Sequence, residues 1–369
     1  MMSRKLPEVC EIQYGFPFDS SLFSAEGDLP LIRIRDVVRG YTETYTSEKC
    51  DVAYRVHEGD ILVGMDGVFN VAKWKGEPAY LNQRVCRIIP NETIDADFLF
   101  YFIPTALKKI ENETAFVTVK HLKAKQLNAV VVPDVPIEEQ KKIAAQLNVI
   151  THLISLRQQQ AEKLDELVKA RFVEMFGEGK YGGNPLSNVC KLITDGTHQP
   201  PQFVDAGIPF LLVSNLVHNE ITYDTEKFIS KESYQELIKR TPVEIGDILL
   251  SIVGSYGHAG VVRTDKPFCF QRHIAYIKPD FSKLNSEFLH YALLSDAVKY
   301  QMEKRVKGIA QKTLNLSELK KIVVPIPPLA LQTEFSHFVH EVDREKERIQ
   351  RSAALLETLK RSLMQQYFG

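Results

Sequence analysis

The sequence predicts an α+β protein built twice over: two mixed α/β domains, each followed by a long helix, the two helices pairing antiparallel as a coiled coil about a pseudo-two-fold axis. Two observations carry this reading. The first is an internal duplication in which motifs return in one order. Gly59-Asp60-Ile61-Leu62 recurs as Gly246-Asp247-Ile248-Leu249, Gln83-Arg84 as Gln271-Arg272, and Asp97-Phe98-Leu99 as Glu287-Phe288-Leu289. Val131-Val132-Pro133 recurs as Val323-Val324-Pro325, Gln140 as Gln332, and Phe176-Gly177 as Phe368-Gly369, with a constant offset and no gap. Leu6, Val9 and Cys10 return more loosely as Leu186, Val189 and Cys190, and Asp28-Leu29-Pro30 as Gly207-Ile208-Pro209. The second is an apolar seam, at steps of three and four residues, that closes each copy. A pseudo-dimer of this kind suits a ligand with two related halves.

Within each copy the short apolar runs read as strands. In the first they are Leu31-Ile32-Arg33-Ile34, Asp60-Ile61-Leu62-Val63, Arg84 to Ile89 and Asn128 to Val132; in the second Phe210 to Val213, Asp247 to Ile252, His273 to Ile277 and Ile322 to Val324. A helix is expected between the last two strands of each copy, over 97–112 and 286–304. Prolines close each domain, at Pro133 and Pro136 and at Pro325, Pro327 and Pro328. They stop a strand and can open a helix. The boundaries are therefore 1–136 for the first domain, 137–178 for a central helix, 179–328 for the second domain and 329–369 for a C-terminal helix.

The seam of the central helix is Ile143, Leu147, Ile150, Ile154, Ala161, Leu164, Val168 and Met175, interrupted by Arg157 and Arg171. That of the C-terminal helix is Phe335, Val339, Val342, Ile349, Ala353, Leu356, Leu363 and Tyr367, interrupted by Lys346 and Lys360. Such heptads fit two helices pairing with each other. An amphipathic helix packed on its own domain is the alternative, and the equal phase in both copies favours pairing. The Gly-rich stretch from Gly177 to Pro185 reads as a linker. It starts the second domain at the far end of the first helix, so the second helix runs back antiparallel and the pair spaces the domains.

At 369 residues the chain has room for two cores, and its apolar content of 44% is that of a folded protein. No run of 18 apolar residues predicts a membrane span. The start of the chain lacks an apolar signal core, so the cytoplasm is the expected compartment. Five cysteines without CxxC spacing argue against zinc and against a disulfide framework. A net charge of −1 gives no global nucleic-acid signal, so any basic face must be local.

Taken together, certain stretches resemble the specificity subunits of type I restriction–modification systems. They are Ile193-Thr194-Asp195-Gly196-Thr197-His198, Gly246-Asp247-Ile248-Leu249 leading into Val253-Gly254-Ser255-Tyr256-Gly257, Gly308 to Asn315, and Val323 to Pro328 before a long helix. Copy one adds Tyr14-Gly15-Phe16-Pro17-Phe18, Gly59 to Val63 and Asn82-Gln83-Arg84. The resemblance implies two target-recognition domains, each reading one half of a split double-stranded DNA sequence. It implies helices that dock two methyltransferase (modification) subunits, with restriction subunits joining the complex. It places S-adenosylmethionine, ATP and Mg2+ in those partners and no cofactor on this chain.

The residues fit a chain without catalysis of its own. Gln199-Pro200-Pro201-Gln202 lacks the amide and the aromatic of an adenine-methyltransferase loop. Asp134 and Glu139 have nuclease-like spacing, but copy two has no carboxylate at the matching positions, so a helix start explains them better. No phosphate-cradling Gly-Lys-Ser/Thr loop exists, and the ten histidines show no ligand spacing.

Candidate DNA contacts are therefore basic and polar loop residues. Lys120, His121, Lys123 and Lys125 precede the last strand of copy one; Lys304, Arg305, Lys307, Gln311 and Lys312 hold the matching place in copy two. Lys and Arg neutralise phosphates, while Gln and Arg read purine edges; the competing reading is a solvated face diluted by Glu113 and Glu303. Ser255, Tyr256 and His258 form a polar loop suited to a groove or simply a hairpin turn. Arg33 and Arg35 are expected on one strand face, and Lys73 and Lys75 flank Trp74. Gln83-Arg84 and Gln271-Arg272 are shared by both copies, which favours a structural role, because domains reading different sequences should differ where they read. A coiled-coil assembly scaffold that never touches DNA is the alternative function.

Overall fold

The computed structural model describes residues 4–113, 121–177, 179–308 and 312–369. The chain forms two compact units: residues 1–158 with 351–369, and residues 159–350. Each unit therefore holds the first part of one long helix and the last part of the other. Among the described residues no helix is long and apolar enough to cross a membrane.

Unit 1 is organised on a four-stranded antiparallel sheet in the order Cys10–Tyr14, Val85–Pro90, Ile61–Gly64 and Val71–Lys73. Unit 2 repeats it with Cys190–Asp195, Ile274–Pro279, Ile248–Ser251 and Ala259–Val261. A second sheet of mostly shorter strands, five in unit 1 and four in unit 2, accompanies each; in it Leu29–Ile32 runs parallel to Ala79–Leu81, as Ile208–Leu211 does to Cys269–Phe270. The repeated Gly-Asp-Ile-Leu motif now has a cause. Gly59 and Gly246 adopt φ of 92° and 93°, a left-handed turn that only glycine enters cheaply. The following aspartate caps that turn: Asp60 accepts from the His57 N–H, and Asp247 from the Glu244 N–H. The next sheet strand supplies each carboxylate with a donor from one matching position, Arg87 in unit 1 and Tyr276 in unit 2.

The other shared residues tie sheet to helix. Asp95 and Asn285 each accept two backbone N–H bonds at the start of a helix, Ala96–Glu113 and Ser286–Leu294. Gln140, fully buried, accepts from the Asp95 N–H and donates to the Val135 carbonyl. Gln332, equally buried, does the same with Asn285 and Pro327 and also donates to Lys283. A buried amide that satisfies otherwise orphaned backbone groups is costly to replace.

The long helices, Ile137–Phe176 and Leu329–Phe368, are each 40 residues. In unit 1 the start of the first (Ile143, Ala144, Leu147) shares a core with the end of the second (Leu363, Met364, Phe368). In unit 2 the end of the first (Leu164, Val168, Phe172, Phe176) shares a core with the start of the second (Phe335, Val339, Val342). Start meets end in both units, so the helices are antiparallel. Ile150, Ile154 and Ile349 are buried, and Leu356 is half-buried. Each helix also packs its end against the sheet domain of the other copy: Phe368 meets Phe98 edge-on at 5.2 Å, and Phe176 meets Phe288 at 4.8 Å. The seam's charged interruptions find partners, Lys346 on Asp165 at 2.6 Å and Arg171 on Glu334 at 3.2 Å.

Four local expectations need correction. The strand from Leu31 ends at Ile32, because Asp36 accepts from the Arg33 N–H and opens a helix over Ile34–Arg39. Arg33 and Arg35 therefore do not share a strand face. The strand expected over 210–213 ends at Leu211 and passes into a 3-10 turn. The helix expected over 286–304 breaks at Ser295, whose hydroxyl caps a second helix, Asp296–Glu303. The strand expected from Asn128 is a short helix, Ala124–Asn128, followed by Val131–Val132.

Candidate nucleic-acid interface

Strand register brings the nominated segments to one end of each four-stranded sheet. In unit 2, Asp195, Ala275, Leu250 and Ala259 are successive cross-strand neighbours. The loops beyond them form one rim: Gly196 to His198, Gln271 to His273, and the hairpin Val253 to His258. The basic segment joins that rim through backbone bonds. Lys307 and Thr313 bridge each other, Gly254 donates to the Lys312 carbonyl at 2.8 Å, and Leu314 donates to Ile252 at 2.8 Å. Lys304, Lys307 and Lys312 are exposed there. Arg305 is held against Gln301 and Glu318, and Lys304 lies over the Tyr300 ring at 4.1 Å. Gln311 lies outside the described residues.

Unit 1 gathers the same parts. Tyr14, Cys86, Val63 and Val71 are cross-strand neighbours. Beyond them lie Gly15-Phe16, Asn82 to Arg84 and the hairpin Met65 to Asn70, onto which His121-Leu122 fold: Leu122 donates to the Met65 carbonyl at 2.8 Å. Asp66 in this hairpin holds both His121 and Arg84. Lys123 and Lys125 are exposed beside it, and Lys120 lies outside the described residues. Gly15 and Gly196 make the rim possible. Any side chain on either would overlap backbone carbonyls, those of Asn82 and of Phe270 and Gln271.

Chemically, each rim is a shelf of exposed cations and hydrogen-bonding groups on a rigid sheet, which suits a polyanion with readable edges. Among the described residues no group of three or more His, Cys, Asp or Glu is arranged to hold a metal ion. Asp134 faces Arg4, and Glu139 pairs with Lys142, at the start of the central helix.

A family model described as the type I restriction modification DNA specificity domain matches residues 1–166 and again 189–357. The chain belongs to the family of type I restriction–modification specificity subunits. It is 31% identical to the type I restriction enzyme EcoBI specificity subunit of Escherichia coli, over 98% of this chain and 84% of that one. It is 24% identical to the MjaVIII specificity subunit of Methanocaldococcus jannaschii, over 80% and 77%. The fold is shared with a type I S subunit from M. genitalium, at TM-score 0.56 and 16% identity over 100% of this chain and 96% of that one. A chain from a structure of type I R-M complex assembly and conformational transition gives TM-score 0.60 at 17% identity, over 100% and 97%.

Other residues nominated for this specificity subunit fall elsewhere or turn inward. Lys73 and Lys75 lie at the strand end opposite the rim; Lys73 is paired with Asp97, and Lys75 is exposed. Arg35 turns to Thr44 and Asp36, while Arg33 lies 5.9 Å over the Phe23 ring. In the unit 2 hairpin Ser255 is exposed, but Tyr256 packs against the core. His258 lies with Nε2 at 3.0 Å from the Ser255 hydroxyl and Nδ1 at 3.3 Å from Asn219 Oδ1. Burial, with Lys299 and His218 nearby, pushes its pKa down. Sequence reasoning missed Asp195, His198 and Arg240. The first two stood in a quoted motif; Arg240 is distant in sequence, and nothing linked it to them.

Proposed function

We propose that each unit of this specificity subunit reads one half of a bipartite DNA target through the rim of its four-stranded sheet, while the outer faces of the two long helices dock two modification subunits. The observation that carries this is the same rim assembled twice from the same elements but with different exposed side chains. The chain supplies recognition and no catalysis; S-adenosylmethionine, ATP and Mg2+ act in its partners. Two-fold-related helix surfaces fit two equivalent partners. Half-site spacing follows from the helices.

The test is reconstitution with modification subunits and sequencing of the methylated adenines. The expected result is a split motif and a complex with two modification subunits per chain. A complex that assembles but neither binds nor methylates a defined DNA sequence leaves the scaffold reading standing. Replacing Lys307, Gln311 and Lys312 by Ala should weaken one half-site and leave assembly intact. Inserting seven residues after Gln160 and after Ser352 keeps the seam. It should lengthen the preferred spacer by roughly one to three base pairs.

A further inference from the structure

At its rim unit 2 carries a polar cluster centred on a sheet strand, whereas the Asp66, His121 and Arg84 cluster of unit 1 sits on a hairpin. Asp195 ends the edge strand of the four-stranded sheet with its side chain only 10% exposed. Its two carboxylate oxygens face an arginine and a histidine. One contacts the Arg240 guanidinium, and the other lies 3.0 Å from His198 Nε2. His198 and Arg240 are themselves about half exposed, at 54% and 51%, and 3.4 Å apart. Arg240 reaches this place from the turn after the helix Lys231–Leu237, where its N–H bonds the Leu237 carbonyl at 3.2 Å. The next residue, Thr241, is buried and anchors that turn. His198 sits on the loop whose Thr197 bonds Phe270 and Arg272 backbone. In unit 1 the position of Asp195 is Tyr14, whose hydroxyl has no partner among the described residues.

A carboxylate this buried needs paired charge to offset its desolvation. Here it obtains that charge by fixing one nitrogen of a guanidinium and leaving the rest of the planar fork in solvent. A fork held in one orientation loses less freedom when it makes two parallel bonds. The O6 and N7 atoms of guanine present two acceptors to such a fork in the major groove. The same fork also matches a phosphate, so the salt dependence of binding is what separates the two contacts.

We propose that Arg240 is a specificity-determining residue that reads a guanine in the half-site recognised by unit 2, with Asp195 as the positioning residue that orients it. The inference rests on the proposed reading of DNA by the rims. It assigns this contact to unit 2, because the matching strand position of unit 1 holds Tyr14 in place of the carboxylate.

The experiment is methylation, by the reconstituted complex, of a DNA library randomised across the wild-type motif, with Kd measured against salt for the preferred site. Arg240→Lys keeps the charge and loses the fork. It should reduce discrimination at a single guanine by about 5- to 100-fold, leave every position of the other half-site unchanged, and leave the salt slope unchanged. Asp195→Asn should relax the same base pair to a smaller degree, and Asp195→Glu should restore part of it. A uniform loss across all sequences, with a shallower salt slope for Arg240→Ala, would mean a phosphate contact and overturn the proposal. An unchanged motif in Arg240→Lys overturns it as well. Arg240 is exposed, so that variant remains informative if Asp195→Asn fails to fold. A wild-type complex that yields no split motif defeats the reading of the rims themselves, a different outcome from a wild-type motif that survives the variant.

Discussion

Gly15 and Gly196 hold the same place in the two units, and one residue earlier Tyr14 stands where unit 2 has Asp195. The first pair is identical because a backbone carbonyl occupies the space a side chain would need. The second pair differs, and it lies at the rim. The same division runs through both units. Gln140 and Gln332, Asp60 and Asp247, and Phe176 and Phe368 are identical and buried or bonded to backbone. Arg87 and Tyr276 differ in kind yet give the repeated aspartate the same donor. Arg87 also donates to the Arg55 carbonyl, and the Tyr276 hydroxyl lies 2.7 Å from the matching carbonyl, that of Pro242. The duplicated sequence therefore holds the frame fixed, while the rim keeps its glycines and varies at positions such as Tyr14 and Asp195.

The comparison breaks first at the glycines. Gly15→Ala and Gly196→Ala should each cost more than about 3 kcal/mol, because the clash is with backbone that cannot rotate away. Hydrogen exchange resolved by unit should show the damage confined to the unit carrying the substitution. Equal tolerance of alanine at both sites would mean the rim is looser than its geometry indicates.

Gln140→Leu and Gln332→Leu test the junction of sheet and helix. Each leaves a buried N–H and at least one carbonyl without a partner, for a loss of about 2–4 kcal/mol in thermal or denaturant unfolding. Gln332 makes one more bond than Gln140, so its loss should be the greater.

A pH experiment sharpens a real difference between the units. His290 in unit 2 occupies the place of Phe100 in unit 1. It is buried, with Nε2 3.0 Å from the Ala259 carbonyl, and burial holds its pKa at about 4. In the unfolded chain it titrates near 6.5. Between these values the unfolded state binds the extra proton, so stability rises with pH across the window. It is complete above about pH 6.5 and is lost progressively as pH falls toward 4, by up to about 3 kcal/mol. Unit 2 should open before unit 1 on mild acidification, as followed by hydrogen exchange, and His290→Phe should remove that difference.

The smallest expected effect concerns the helices. Lys346 and Asp165 form a partly exposed ion pair, so a double-mutant cycle with Lys346→Met and Asp165→Asn should give a coupling below about 1 kcal/mol that fades with salt. A larger value would mean that these charges, and not only the apolar seam, select the partner helix.

Several features were decided by the sequence alone. Period and repetition fixed the α+β class, the duplication and the long helices, because burial demands a spacing that is visible in one dimension, and the Gly-rich linker fixed their antiparallel sense. Of the repeated residues, Gly59 and Gly246, Asp60 and Asp247, and Gln140 and Gln332 mark shared parts of the frame, whereas Gln83-Arg84 and Gln271-Arg272 lie at the rims. Tertiary structure decided the rest. The early end of the strand at Ile32 depends on one capping bond from Arg33 to Asp36, and the break at Ser295 on one hydroxyl. Neither alters the apolar pattern enough to be read. The rim depends on register, which sets Asp195 beside Ala275 and brings the hairpin at 253–258 under the basic segment. The contact of Arg240 with Asp195 joins positions 45 residues apart through a turn anchored by Thr241. A linear pattern records which side chains must be buried; it does not record which exposed ones the folded backbone brings together.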